Sequence, residues 1–400
     1  MKLGSTRFRS NIAAAALTCL LGTTIVSAQT PAPKPAPAKP PAAAAAKPAA
    51  APSGDKQLAE EVFKNVTVLK GLSADDFLGT MGVFSAALGI SCEDCHKADD
   101  TKWEGLAVDN PMKNRARGMV RMMAALNKQF FGGRQMVTCY TCHRGNESPR
   151  VTSSLVRLYG TTPETEPITV IAQAPNAPKA DAIFDKFLNA LGGAQKVAGL
   201  TSIQGKGING GYGPEGGARP LEFYAKAPGM FSTIVQTDNG PATTTYDGKA
   251  GYYAAPLRPV PVLAYTGQFL AGMKLDIGLM FPAQIKTMLT DVKVGFPETI
   301  GTKDYRPVQG KIGGALATLY FDEDSGLLVR LMRYADTVVG RIVIQYDYSD
   351  YREVNGVKIP HKWVYTWLDG RETFELQQVQ TNVNIDNAKF AKPAPVPAKN

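Results

Sequence analysis

Histidine is scarce in this chain of 400 residues, which contains only His96, His143 and His361. Cysteine is also scarce: there are five, of which four form two close pairs and the fifth, Cys19, stands alone near the start. These residue types supply most soft or borderline metal ligands in proteins. The few positions that they occupy therefore restrict the metal chemistry that the chain can perform.

Long hydrophobic runs are also missing after residue 28, and a helix needs roughly 20 apolar residues to cross a bilayer. Residues 1–28 instead have the pattern of a secretory signal peptide, with basic residues first, then an apolar stretch, then the small-residue cleavage site Val26-Ser27-Ala28. We therefore expect a periplasmic protein without a transmembrane span in the mature chain. A lipid anchor at Cys19 is the alternative, although Ala16-Leu17-Thr18 fits a lipobox poorly.

The two cysteine pairs each begin a pentapeptide of the same form, Cys92-Glu93-Asp94-Cys95-His96 and Cys139-Tyr140-Thr141-Cys142-His143. C-x-x-C-H is the attachment pattern of a c-type haem. Its two thiols form thioethers with the vinyl groups, and the adjacent imidazole becomes an axial ligand of the iron. The sequence therefore predicts two covalently bound haems, with His96 and His143 as the proximal ligands.

A disulfide framework and a Cys₄ zinc site are the alternatives for four cysteines in an exported protein. Neither requires a histidine after both pairs, so we favour the haem interpretation. The formal net charge of +9 includes three charges of the predicted signal peptide, and the propionates of two haems, roughly four charges, would largely cancel the remaining +6. Because interleaved basic and aromatic residues are also missing, we expect no nucleic-acid binding.

A helix is predicted before each pentapeptide. The first begins at Ser73, which forms a capping-box pattern with Asp76, and ends at Gly89. It contains Gly79 and Gly82, each unfavourable in a helix by about 1 kcal/mol, and a flat porphyrin lying against the backbone would explain them. The second helix is predicted from Asp109 or Asn110, with Pro111 in its first turn, to Gly132-Gly133.

The distal ligands have to be found largely without histidine. Met81 precedes the first pentapeptide by eleven residues on the predicted helix, so its thioether is our candidate for the first iron. For the second iron we choose Met122, in competition with Met119, Met123 and Met136. His361 falls on the apolar face of an alternating strand, which is typical of a core histidine. A second iron without a distal ligand would permit ligand exchange or peroxide chemistry.

The composition divides the chain into five parts. We predict a signal peptide (1–28), a Pro/Ala-rich linker (29–55), a dihaem cytochrome c domain (56–158), a second linker (159–179) and a β domain (180–396). The last begins with a helix from Asp181 to Leu191, and its stretch from Leu263 to Leu289 has helical spacing interrupted by glycine and proline. Alternating runs predict strands at Leu221 to Ala225, Ala315 to Phe321, Leu327 to Tyr334, Ile342 to Tyr348, Val357 to Trp367 and Thr373 to Val379. The expected fold is multidomain α plus β, a small helical haem segment followed by a predominantly antiparallel β half barrel with a few helices.

The haem segment resembles the last two haem units of the cytochrome c subunit of photosynthetic reaction centres. The resemblance is carried by Phe77 to Met81, Leu88-Gly89, both pentapeptides, Pro111, and Val120-Arg121-Met122-Met123-Ala124-Ala125-Leu126-Asn127. It implies that Met81 is a distal ligand, and it makes Arg121 a candidate contact of a haem propionate. In that family the fourth haem takes a distal histidine from the first half, which has no counterpart here, so the second distal ligand stays open.

The C-terminal part, with Tyr348-Ser349-Asp350-Tyr351-Arg352 before Asn355-Gly356-Val357, is similar to half barrels of the lipoprotein-carrier type. This resemblance implies an apolar face able to bind an apolar small molecule. We therefore predict an exported electron carrier between redox proteins of the cell envelope, without catalytic residues, whose β domain docks a partner or binds such a molecule. The alternatives are a dihaem peroxidase-like enzyme and a haem-linked lipid- or quinone-binding module.

Overall fold

A computed structural model describes residues 56–97, 103–153, 170–211 and 217–397. The predicted signal peptide with Cys19, the first linker and most of the second linker lie outside the described residues. Residues Ala50–Asn400 form one compact unit. The haem segment and the β domain can therefore be described together.

The haem segment consists of helices joined by short loops. Its elements are α1 (Ala59–Val62), α2 (Ala74–Leu88), α3 (Cys92–Cys95), a 3₁₀ helix (Trp103–Ala107), α4 (Pro111–Phe131) and α5 (Cys139–His143). Helix α2 is preceded by Ser73 and ends at Gly89, whose φ of 66° lies in the left-handed region that favours glycine. Helix α4 begins after Asn110, whose side chain accepts a hydrogen bond from the Lys113 amide, and it ends at Gly132. Both helices thus have the bounds that the sequence predicts.

The rest of the described chain contains one antiparallel sheet of 14 strands. The order is β6-β5-β4-β3-β2-β1-β14-β13-β12-β11-β10-β9-β7, and β8 pairs with β9. The strands are β1 (Ser202–Gly211), β2 (Arg219–Lys226), β3 (Met230–Thr237), β4 (Gly240–Tyr246), β5 (Gly251–Ala254), β6 (Val262–Tyr265), β7 (Thr290–Val294), β8 (Glu298–Ile300), β9 (Lys303–Ile312), β10 (Ala315–Asp322), β11 (Leu328–Asp336), β12 (Arg341–Val354), β13 (Val357–Trp367) and β14 (Gly370–Thr381). The expectation of an α plus β protein with a large antiparallel sheet is confirmed.

Further helices pack against the sheet. They are α6 (Ala180–Ala190), α7 (Ala194–Ala198), α8 (Gly267–Gly278), a 3₁₀ helix (Pro282–Gln284), α9 (Ile285–Met288) and a last 3₁₀ helix (Asn387–Phe390). Phe184 and Phe187 of α6 and Leu275 of α8 are buried in the main core against strand residues such as Leu319 and Leu331. The stretch from residue 263 to 289 is interrupted, as its glycine and proline residues predict.

The haem segment and the sheet share a hydrophobic cluster. Val83 of α2 and Val120 of α4 are buried together with Ile342 and Ile344 of β12. Asp75 at the start of α2 accepts hydrogen bonds at 2.6 Å from the Thr266 amide and at 2.9 Å from the Thr266 hydroxyl, just before α8. Helix α2 is therefore fixed to the β domain by both apolar and polar contacts.

The two glycines inside α2 face the sheet. A Cβ atom on Gly79 would lie 2.6 Å from Cδ1 of Ile342 and 2.9 Å from Cζ of Phe269, whereas one on Gly82 would lie 3.9 Å from Leu368 and Asp369. The expectation that a porphyrin explains these glycines is wrong for Gly79 and stays a prediction for Gly82. Gly79 instead permits the close approach of α2 to α8 and β12, because any side chain there would overlap with theirs.

This difference between the two glycines gives a testable prediction. We expect Gly79→Ala to destabilise the fold by about 1–3 kcal/mol, because overpacking outweighs the gain in helix propensity. Gly82→Ala, three residues further on the same helix, is the matched control. It should be neutral or stabilise by up to about 1 kcal/mol, since its new methyl group has room. Urea unfolding followed by far-UV circular dichroism measures both, and equal effects of the two variants would contradict the assignment.

Candidate functional site

Each C-x-x-C-H pentapeptide forms a single capped helical turn. In α3, the Ser91 amide and hydroxyl donate to the Asp94 carboxylate at 2.7 and 3.0 Å. In α5, the Thr138 amide donates to the Thr141 hydroxyl at 3.0 Å, and the Thr141 amide donates back at 3.3 Å. Residues three apart lie on the same side of a helical turn, so the two thiols of each pair face the same way. This arrangement suits two thioether bonds to one macrocycle.

Both candidate proximal histidines form a hydrogen bond to a backbone carbonyl oxygen through the same ring nitrogen. Nδ1 of His96 lies 3.0 Å from the Leu106 carbonyl oxygen, and Nδ1 of His143 lies 3.0 Å from the Asn146 carbonyl oxygen. A carbonyl oxygen only accepts hydrogen bonds, so Nδ1 carries the proton and the lone pair is on Nε2. Metal-bound histidines are typically oriented by such a hydrogen bond. Burial, followed by the charge of Lys113, lowers the pKa of His96 and favours the neutral form that binds iron.

The first pentapeptide opens into a cleft between α2, α4 and the loop after α1. Cys92, Cys95 and His96 line this cleft, and so does Met81 from the facing helix. Its walls are apolar, with Phe77 and Phe84 of α2 among them. The structure thus places the predicted thiols, proximal histidine and distal methionine of the first haem around one apolar cleft, and these residues fit a c-type haem.

Two basic residues of this cleft were missed from the sequence. Lys113 and Arg117 lie one turn apart on α4 and both line the cleft. The Lys113 ammonium donates to the carbonyl oxygens of Leu106 and Val108 at 2.6 and 2.7 Å, and Arg117 forms an ion pair with Asp109 at 2.7 Å. Their spacing of four residues predicts that they share one side of α4, but not that this side faces the cleft. They are better placed than Arg121 to contact propionates of a haem in this cleft, since the Arg121 side chain is exposed.

A third missed residue is Met112 at the start of α4. Its sulfur lies 3.2 Å from the Cys95 thiol, and the Asn110 side chain donates to the Cys95 carbonyl oxygen at 2.7 Å. The start of α4 is therefore held directly against the first pentapeptide.

The second pentapeptide lies against the β domain. The Cys139 amide donates to the Val339 carbonyl oxygen at 3.1 Å, and the Gln135 side chain donates to Thr337 at 2.7 Å, in the turn between β11 and β12. Asn127 of α4 holds the preceding loop: it accepts from the amides of Met136 and Val137 and donates to the Val137 carbonyl oxygen at 2.7 Å. Burial raises the pKa of Cys139 to about 11, so its thiol stays protonated at neutral pH.

The distal side of the second pentapeptide is less defined. The side chain of Met122, our choice from the sequence, is 47% exposed, and Met119 and Met136 are exposed as well. Met123 is buried in the cluster shared with the sheet. Exposed apolar side chains are frequent in this part of the sequence, namely Met119, Met122, Phe130, Met136 and Tyr140. Met122 as the second distal ligand stays a prediction.

His361 lies in the sheet and not at either pentapeptide. Its side chain is buried on β13, with Nδ1 2.9 Å from the Ile359 carbonyl oxygen. It shares the buried face of the strand with Val357, Ile359 and Trp363, as the alternation predicts. It is a core histidine.

The alternatives for the cysteines find no support in the described part of the chain. Cys92, Cys95, Cys139 and Cys142 are free thiols there. Those same ranges contain no group of three or more histidine, cysteine or acidic side chains that could hold a metal ion by themselves. In the described segments, no helix is both long and apolar enough to cross a membrane.

Comparison with known proteins relates the N-terminal part of the chain to one family. Residues 15–183 match the model of the family described as photosynthetic reaction centre cytochrome C subunit. The chain is similar to the photosynthetic reaction center cytochrome c subunit of Rubrivivax gelatinosus, at 32% identity over 152 residues that cover 36% of this chain and 34% of the relative. The same subunit of Thermochromatium tepidum is 36% identical over 96 residues, covering 23% of each chain. The resemblance to this family is confirmed, and the chain spans about a third or less of the length of these relatives.

Solved structures resemble another part of the chain. A LolA superfamily protein from Nitrosomonas europaea covers 54% of this chain and 99% of its own, with 13% identity and a TM-score of 0.37. A DUF1329 family protein from Desulfovibrio piger covers 54% of this chain and 98% of its own, with 12% identity and a TM-score of 0.38.

Proposed function

We propose that this protein is an exported, periplasmic dihaem c-type cytochrome that transfers electrons between redox proteins of the cell envelope. In this proposal its β domain docks a partner or binds an apolar small molecule. The observation that carries it is the repeated arrangement of two capped C-x-x-C-H turns. The histidine that ends each turn has its Nδ1 hydrogen-bonded to a carbonyl oxygen. The similarity to cytochrome c subunits over residues 15–183 supports the same conclusion.

The residues of the chain have distinct roles in this function. A bound c-type haem supplies reversible one-electron chemistry. Cys92 and Cys95 hold the first haem and Cys139 and Cys142 the second, while His96 and His143 present Nε2 to the iron. Met81 lines the same cleft as His96 and is the candidate second ligand, and the apolar walls of the cleft would favour the less charged, reduced state.

A second candidate function is a peroxidase-like reaction at the second haem. The exposure of Met122 and the position of His361 in the sheet favour it, because an iron without a distal ligand can bind peroxide. High-spin signals in the oxidised spectrum together with turnover of hydrogen peroxide would favour this function over electron transfer alone.

The main proposal predicts two haems with different potentials. Iron analysis should give about two iron atoms per chain, and a spectroscopic redox titration should need two one-electron steps, because the first haem lies in an apolar cleft and the second near the surface. A chain with Cys139→Ala and Cys142→Ala is the control, and it should retain one iron and the step of the first haem. One haem in the unmodified chain would contradict the proposal.

A further inference from the structure

A second cavity lies between α8 and the sheet of the β domain. It encloses about 390 Å³, within the range of about 300–1,000 Å³ that is typical of small-molecule sites. Half of the residues that line it are aromatic, among them Phe223, Phe231, Tyr346, Trp363, Tyr365 and Trp367. Neighbouring rings contact each other: Tyr365 stacks on Trp367 with centroids 4.8 Å apart, and Tyr346 lies tilted by 38° against Tyr365 at 4.9 Å. Such walls present flat apolar faces.

The cavity also contains a buried polar cluster. Arg333 of β11 donates to both carboxylate oxygens of Asp276 on α8, at 3.0 and 2.9 Å, and the Tyr346 hydroxyl donates to the same carboxylate at 3.0 Å. Gly272, one turn before Asp276, leaves the space that the Arg333 guanidinium occupies, since a Cβ atom there would overlap with it. A cavity wall that contains this charged cluster suits a ligand with polar atoms better than an entirely apolar one.

Tyr348 supplies a hydrogen-bonding group that lacks a partner. It lines the cavity beside Tyr346, its side chain is only 7% exposed, and its hydroxyl is buried without a hydrogen-bond partner among the described residues. A buried polar atom without a hydrogen bond costs free energy of folding, so in native structures it usually has a functional role or a partner such as a ligand. A ligand oxygen that accepts from this hydroxyl would be such a reason.

We propose that this cavity binds a flat aromatic ligand with carbonyl or hydroxyl oxygens on its ring, which is the chemistry of a quinone or quinol. The ring lies between the aromatic walls, and one ring oxygen accepts a hydrogen bond from Tyr348. A fatty acyl chain fits less well, because it has no oxygen at the depth of Tyr348 and gains nothing from flat walls. The inference rests on the proposed function in one respect: it names the small molecule that the β domain is proposed to bind.

The position of the cavity is consistent with a ligand related to the redox function. Phe269 lines the cavity and contacts α2 at Gly79. Met81, two residues further along α2, lines the first haem cleft. Phe269 and Met81 also pack against the same hydrophobic cluster. The two cavities are therefore separated by little more than one helix.

Binding of ubiquinone-1 to the full, haem-loaded and oxidised chain tests the inference, with isothermal titration calorimetry as the measurement. We expect one molecule per chain and an affinity about five- to tenfold weaker in Tyr348→Phe, which removes only the hydroxyl. Tyr334→Phe is the matched control. Its hydroxyl is also buried without a partner among the described residues, but it belongs to the cluster of Tyr320 and Met332. Tyr334 directly follows Arg333 on β11, so it points to the opposite face of the sheet from the cavity.

The outcomes separate this inference from the proposed function. No binding of ubiquinone-1, equal weakening by Tyr348→Phe and Tyr334→Phe, or binding of palmitate in its place would each overturn the inference. The haem spectrum and iron content of the same samples test the proposed function independently. A chain with two haems that binds no quinone contradicts only the inference, whereas a chain that binds quinone without haem contradicts only the proposed function.

Discussion

Replacing Met81 by alanine should abolish the methionine-to-iron charge-transfer band of the first haem and lower its midpoint potential by about 0.1 V or more, within the roughly 0.8 V range that axial ligands span. The physical reason is that a thioether ligand favours the reduced iron. Met81 lines the cleft that also contains Cys92, Cys95 and His96, so its sulfur is the best-placed distal ligand. Absorption spectra in the near infrared and a redox titration measure the two effects.

Met122→Ala is the parallel variant that makes this experiment informative. If Met122 binds the second iron, its loss should remove a second charge-transfer band and leave the first unchanged. If the exposed Met122 binds no iron, the spectrum and both potentials should stay as they were. A Met81→Ala protein with an unchanged spectrum would exclude Met81 as a ligand and would leave it as part of the apolar wall of the cleft.

The helices of the haem segment could be predicted because their ends depend on local chemistry. Ser73 and Gly89 bound α2, and Asn110 and Gly132 bound α4. One local detail differs: the Ser73 hydroxyl donates to the Asp76 carboxylate at 2.8 Å and not to the helix backbone. The pentapeptides are similarly local, since a spacing of three residues is enough to place two thiols on one side of a turn.

The strands differ in how clearly their sequences alternate. Val357–Trp367 has the predicted bounds, because it alternates and lies between the turns Asn355-Gly356 and Asp369-Gly370. Strand β1, Ser202–Gly211, was missed because four of its ten residues are glycine, which is typical of loops. Gly207 explains part of this composition, since a Cβ atom there would overlap with the Glu375 carbonyl oxygen on β14. Strands β4 and β5 were missed too, because their short runs of threonine, glycine and tyrosine resemble connecting segments, and β6 was missed because it overlaps the stretch with helical spacing.

The least predictable features depend on contacts between distant parts of the chain. Gly79 is explained by Ile342 and Phe269, and nothing in the sequence near Gly79 indicates either. Lys113 and Arg117 became visible as cleft residues only when the side of α4 that faces α2 was known. The buried pair of Asp276 and Arg333 belongs to the same group, because 57 residues separate its members in the chain.

Arg333 is the position where we expect the largest loss of stability. Its guanidinium, 8% exposed, pairs with Asp276, and the Tyr346 hydroxyl completes the cluster. Removing one partner of a buried ion pair leaves the other charge uncompensated, so Arg333→Met should cost about 3–5 kcal/mol. Arg330→Met on the same strand is the control. Its pair with Asp347 is more exposed, so it should cost about 1 kcal/mol or less.

The pH dependence of Arg333→Met distinguishes an uncompensated carboxylate from a simple loss of packing. Burial raises the pKa of Asp276, and Arg333 is the main opposing influence, so the variant should raise this pKa further. A carboxyl group with a raised pKa in the folded state stabilises the protein at low pH, and that contribution is lost as the pH rises through the folded-state pKa. Urea unfolding should therefore show a smaller deficit at pH 5 than at pH 8, and adding Asp276→Leu should restore most of the stability at pH 8. A deficit independent of pH that persists in the double variant would mean that Arg333 acts mainly through packing.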